Sequence, residues 1–153
     1  MIRKHDWASY QTYMDAHERV LKTYEKFMEF PKTYTKEVAN ESWVIFRCQE
    51  LIFTTYNGSK VQVDLHKDVE IDASVPTRKK ARIFAYSYHC GRLGGPNLIR
   101  YDSPDIQIGP KTPKHHYYHH KHDFTSGKEV ITRVPNDSWP HVSDFFHEVL
   151  MTF

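Results

Sequence analysis

Five histidines crowd into eight residues, His115, His116, His119, His120 and His122, interleaved with Tyr117, Tyr118 and Lys121. Imidazole has an unperturbed pKa of about 6.5, so it exchanges protons near neutral pH, and it is the commonest metal ligand. The cluster therefore points to proton transfer or to metal binding. It is internal and broken by tyrosines, which sets it apart from a purification tag.

Two further polar groups precede it, Tyr86-Ser87-Tyr88-His89 and Arg100-Tyr101-Asp102. Cleavage of RNA without a metal needs a base for the 2′-OH, an acid for the leaving 5′-oxygen and a cation for the phosphorane. His89, His119, His120 and His122 are candidates for proton transfer. Arg100 and Lys121 are candidates for the phosphate, and Tyr88 for stacking a base or donating a proton. Bland readings compete: His89 as a hydrogen-bonded strand residue, and Arg100 with Asp102 as a salt bridge on one strand face. The metal alternative draws on His115, His119 and His122. If the segment is helical, the separations 115/119 and 119/122 put each pair on one face, and Asp102 or Asp123 completes the set. There is no HExxH pattern and no cysteine ligand spacing, and no cofactor is expected.

These groups need a scaffold. Over the first thirty residues Trp7, Tyr10, Met14, Val20, Leu21, Tyr24, Phe27 and Met28 fall on one helical stripe. The expected helix ends near Phe30, ahead of Pro31. Its stripe packs on the sheet of its own domain or, in a homodimer, on a second chain. From Ser42 the pattern turns to strands. Trp43, Ile45 and Leu51 to Thr55 lead into Asn57-Gly58, a hairpin dipeptide. Val61, Val63 and Leu65 then alternate with polar residues. Arg82 to Cys90 reads as a strand with Ile83, Ala85, Ser87 and His89 on one face and Phe84, Tyr86 and Tyr88 on the other. Asn97 to Asp102 is a short strand, and 103–113, with three prolines and Gly109, a long loop of the kind that is often functional. Glu129 to Val134 reads as a last strand. A closing helix follows, capped by Asn136, Asp137 or Ser138 with Pro140 in its first turn. The expected fold is one α+β domain over 1–153, with a curved, mostly antiparallel sheet of four to six strands between an N-terminal and a C-terminal helix.

Composition narrows the classes. At 153 residues, 39% hydrophobic and 26% charged, the chain is globular and long enough for a core. Aromatics at 14% suit base stacking as well as a core. A net charge of +2 does not by itself argue for nucleic acid. Cys48 and Cys90 suggest a reduced compartment. No window is apolar enough for a membrane span or a signal peptide, so a cytoplasmic protein without a membrane partner is expected.

Taken in order, YSYH at Tyr86–His89, LIRYDSP at Leu98–Pro104 and HHKH at His119–His122 resemble the pattern of the TumE-family toxins of prokaryotic toxin–antitoxin pairs. The resemblance runs from about residue 41 to the C-terminus and leaves 1–31 as a helical extension. It departs from the family pattern where Asp105 and Ile106 follow Pro104, and in a longer stretch before HHKH. The resemblance implies a toxin acting by RNA cleavage and neutralised by a helix-turn-helix antitoxin. The motif residues become Tyr88, His89, Arg100, Asp102, His119, His120, Lys121 and His122. The leading expectation is a metal-independent endoribonuclease. A non-catalytic RNA-binding or regulatory module and a histidine-ligated metal protein are the alternatives.

Overall fold

In the computed structural model, which describes residues 7–29, 33–105 and 107–153, the chain runs through β1 (Ala8–Ser9), α1 (Tyr10–Tyr24) and β2 (Thr33–Asn40) into three long strands. These are β3 (Trp43–Thr54), β4 (Lys60–Asp72) and β5 (Lys80–Arg92). The short strands β6 (Asn97–Asp102), β7 (His120–Asp123) and β8 (Val130–Arg133) follow, and α2 (Val142–Thr152) closes the chain. Strands β2 to β8 pair in chain order, each antiparallel to the next, and β1 adds to the start of β5. The result is the expected α+β domain with a curved, unclosed sheet between two terminal helices. Strands β1, β2 and β7 come in addition to those read from the pattern.

The β3–β4 turn forms where Asn57-Gly58 stands. Gly58 has φ +80°, which a glycine adopts without a Cβ clash, and Thr55 N–H donates to the Ser59 carbonyl at 2.9 Å. Along β4, strict alternation sends Val61, Val63, Leu65, Val69 and Ile71 to the helix-covered face, and carries Lys67 there with them. Both helices lie on this face. Phe145, Phe146, Val149 and Leu150 of α2 are buried, and Phe145 meets the rings of Tyr88 and Tyr101.

Three local expectations are corrected. The first helix is shorter than thirty residues. The Ser9 hydroxyl caps its start by accepting from Thr12 N–H, and it ends at Tyr24 in a turn of 3₁₀ helix. There Met28 bridges to Phe53 and Glu29 N–H donates to the Ile52 carbonyl, so the chain is drawn out along the sheet. Phe30 and Pro31 lie outside the described residues. The apolar stripe packs inward: Tyr13, Met14 and His17 are buried, and Val20, Leu21 and Tyr24 rest on the same core. Second, β5 carries a bulge. Asp68 pairs with Ala85 and Val69 with Ile83, so Phe84 is the extra residue. Ile83 and Ala81 thereby join Tyr86 and Tyr88 in the core, while Phe84 meets Trp43 edge-on. Third, α2 is capped by His141. Its N–H donates to Asp144 at 2.9 Å, and Pro140 precedes the cap. Trp139 stacks on Tyr86 and His119, which fixes the preceding segment against the sheet and delays the helix to Val142.

Among the described residues, no helix is long and apolar enough to cross a membrane.

Candidate active site on the uncovered sheet face

Directly opposed residues in an antiparallel ladder share a face. His89 of β5 pairs with Arg100 of β6, and Arg100 pairs with His122 of β7, giving a row of three across the sheet. Beside it runs the row Ser87, Asp102, His120. Alternation keeps both rows on the face away from the helices. Adjacent strands lie about 4.8 Å apart, so Arg100 stands one strand spacing from each flanking histidine.

Each side chain in the first row is held from behind. The His89 ring bonds Asn97 Oδ1 through Nε2 at 2.9 Å and lies 3.6 Å from Asp64 Oδ2 through Nδ1. Asp64 is itself fixed by accepting from Glu50 N–H at the β3 bulge, where Glu50 has φ +56°. Arg100 Nε donates to Asp102 Oδ1 at 3.1 Å, and half of the Arg100 side chain stays exposed. His122 Nδ1 sits 2.6 Å from Glu129 Oε1. Because a carboxylate accepts, this contact puts the proton on Nδ1 and leaves Nε2 as the basic nitrogen. His89, Arg100 and His122 line one open concavity of about 370 Å³ with Asn97, Phe124 and Glu129. Arg100 and His122 also line a second of about 560 Å³, with Asp102, Asp105, His116 and His120.

His116 reaches the second concavity from a 3₁₀ turn (Lys114–Tyr117) at the end of the long loop, where His115 packs edge-on against it. His116 bonds Asp105 at 3.0 Å and stacks on His120. His120 is buried, its Nδ1 2.9 Å from the Tyr118 carbonyl. Burial lowers its pKa, partly opposed by that carbonyl and by Asp102. The pKa of His115 is lowered by desolvation and then by His116, His120 and His122.

The structure does not bring every expected residue to this face. Tyr88, His119 and Lys121 point to the helix side, because alternation along β5 and β7 separates neighbours in sequence. His119 Nδ1 lies 2.9 Å from the Tyr86 hydroxyl and its ring stacks on Trp139. Lys121 pairs with Glu148 of α2 at 2.6 Å. It lines a larger concavity, about 800 Å³ between β8 and α2, which none of the five clustered histidines touches. The helical spacing behind the metal triplet His115, His119 and His122 is overturned too: the segment is a 3₁₀ turn followed by a strand. The supports Asp64, Asn97 and Glu129 escaped the sequence reading, since nothing in their spacing marks them.

Tyr88 is fully buried, and its hydroxyl has no hydrogen-bond partner among the described residues. Burial holds its pKa well above the tyrosine range. Removing an unsatisfied buried hydroxyl relieves a desolvation cost, so Tyr88→Phe is expected to match the wild-type stability or exceed it by up to about 1 kcal/mol in urea titration. A clear loss of stability would show instead that the hydroxyl is hydrogen-bonded in the fold.

This geometry defines a class of protein: an open antiparallel sheet braced by two helices, with a histidine–arginine row on its bare face. Residues 44–151 match the family described as toxin TumE, and the chain belongs to that family, whose toxin character implies an antitoxin partner. No curated protein and no solved structure matches the chain.

Proposed function

We propose that this toxin is an endoribonuclease that cleaves RNA by histidine acid–base catalysis without a metal. What carries the reading is the row in which Arg100 stands between His89 and His122. A phosphate held over Arg100 has a histidine on either side, which suits an in-line displacement whose attacking and leaving oxygens lie on opposite sides of phosphorus. His122 Nε2 takes the 2′-OH proton as the 2′-oxygen bonds to phosphorus. His89, its Nε2 exchanging Asn97 for substrate, protonates the 5′-oxygen as the P–O5′ bond breaks, leaving a 2′,3′-cyclic phosphate and a free 5′-OH. Arg100 neutralises the phosphorane. His120 shapes the floor through Asp102, and His119 and Lys121 brace the site from the helix side. Helix α1 belongs to the same single domain as the sheet, and the toxin acts in the cytoplasm. There a helix-turn-helix antitoxin neutralises it.

The test is cleavage by tag-free protein in excess EDTA, with DNA and 2′-O-methyl RNA as uncleavable controls. RNA alone should be cut, with cyclic-phosphate ends. Activity that disappears with chelator and returns with a metal overturns the mechanism. Binding of RNA with no cleavage in either condition leaves a non-catalytic RNA-binding module.

A further inference from the structure

Three acceptor atoms face one another beside the row. The Tyr118 carbonyl takes the proton on His120 Nδ1, as Glu129 takes that on His122 Nδ1, so both Nε2 atoms present lone pairs. Asp102 Oδ2 lies 3.7 Å from His120 Nε2 and 3.6 Å from His122 Nε2. Asp102 Oδ2 and His120 Nε2 are buried and make no hydrogen bond among the described residues, although Arg100 Nε approaches that oxygen to 2.8 Å off the bond direction. His115 closes the group: a ring nitrogen from each of His115, His120 and His122 falls within one 4.8 Å cluster. A tetrahedral ion with bonds of about 2.0–2.1 Å holds its donor atoms about 3.3 Å apart. The carboxylate oxygen stands close to that spacing from each Nε2, at 3.7 Å and 3.6 Å. Binding requires His115, half-buried on its turn, to swing its ring in.

We infer that His115, His120, His122 and Asp102 form a zinc site, held by the Tyr118 carbonyl and the Glu129 carboxylate. Three imidazoles and one carboxylate suit Zn²⁺, and ligand histidines whose other nitrogen is fixed by a carbonyl or a carboxylate are the usual support of such a site. Asp102 keeps Oδ1 for Arg100 while Oδ2 turns to the ion. The site takes up His122 Nε2, the nitrogen assigned to proton transfer. If the nuclease reading holds, on which this consequence rests, a bound zinc ion switches cleavage off.

The experiment titrates tag-free, full-length protein with Zn²⁺ against a chromophoric chelator, and separately with Co²⁺ followed by its visible spectrum. One ion per chain and a tetrahedral cobalt spectrum are expected. His115→Ala and Glu129→Gln change an exposed turn and an exposed carboxylate, so both should fold, and each should weaken zinc binding by about tenfold or more. His147→Ala, outside the cluster, should not. Zinc binding indifferent to His115→Ala and Glu129→Gln, or an octahedral cobalt spectrum, overturns the site. Cleavage is read in parallel. Zinc bound with these sensitivities by a protein that never cuts RNA keeps the site and rejects the nuclease. Cleavage untouched by one equivalent of zinc, in a protein that binds none, rejects the site and keeps the nuclease.

Discussion

His122→Ala is expected to lower RNA cleavage by about a hundredfold or more while leaving affinity for 2′-O-methyl RNA intact, because a positioned acid or base contributes about 10²–10⁴ to rate. His122 is the one member of the five-histidine cluster in register with Arg100, and Glu129 sets its tautomer. Its imidazole is lost from the bare face, not from beneath the helices, so urea unfolding should change little. Arg100→Ala should behave differently, weakening RNA binding and rate together, since a phosphate contact acts in ground and transition states alike. His119→Ala should differ again. It removes the Tyr86 contact and the stack on Trp139, so stability falls and activity follows only through the folded fraction. Single-turnover cleavage, binding to the methylated RNA and urea unfolding, measured on the same three variants, separate these patterns. Full cleavage by His122→Ala would dismiss the row as the active site.

The sequence allowed the scaffold to be read further than the site. Alternation in β4 and the Asn57-Gly58 turn follow from local chemistry, so the long hairpin and its neighbours were legible. The bulge at Phe84 was not, because one extra residue reverses the faces beyond it without leaving a mark in composition. The same limit acted on HHKH. As a strand it divides into His120 and His122 on one face and His119 and Lys121 on the other, but four polar residues carry no hydrophobic period from which to see this. His116 comes back to Asp105, a closure that no local pattern encodes. The convergence of His89 and Arg100 with the histidine segment was legible because it needed only that β5, β6 and the segment after them pair in order.

Alternation also places a lysine where apolar residues belong, and Lys67→Met is expected to raise stability at pH 7 by about 2–3 kcal/mol. Lys67 is 5% exposed. Its Nζ lies 2.7 Å from His17 Nδ1 and 3.3 Å from the Tyr13 hydroxyl of α1, over the rings of Tyr13 and Phe46. Desolvation brings its pKa down to about 7, slightly opposed by Cys48. The unfolded chain holds that proton up to about pH 10.4, so between the two values it binds more protons than the native state. Stability attributable to Lys67 therefore rises with pH through this window, by about 1.4 kcal/mol per unit, and the penalty is largest below pH 7. Over the full gap the proton term is of order 4 kcal/mol; about 1 kcal/mol for each lost hydrogen bond offsets part of it in the methionine variant. Burial pushes the Cys48 and Cys90 thiols up to about 12, which draws stability down once unfolded thiols ionise near pH 8.5. The comparison therefore belongs between pH 7 and 8.5. Across that range urea titrations should show the wild type gaining on Lys67→Met by about 1–2 kcal/mol. A difference that stays flat with pH would mean that Lys67 keeps its charge inside the fold, with His17 and the two aromatic faces solvating it in place of water.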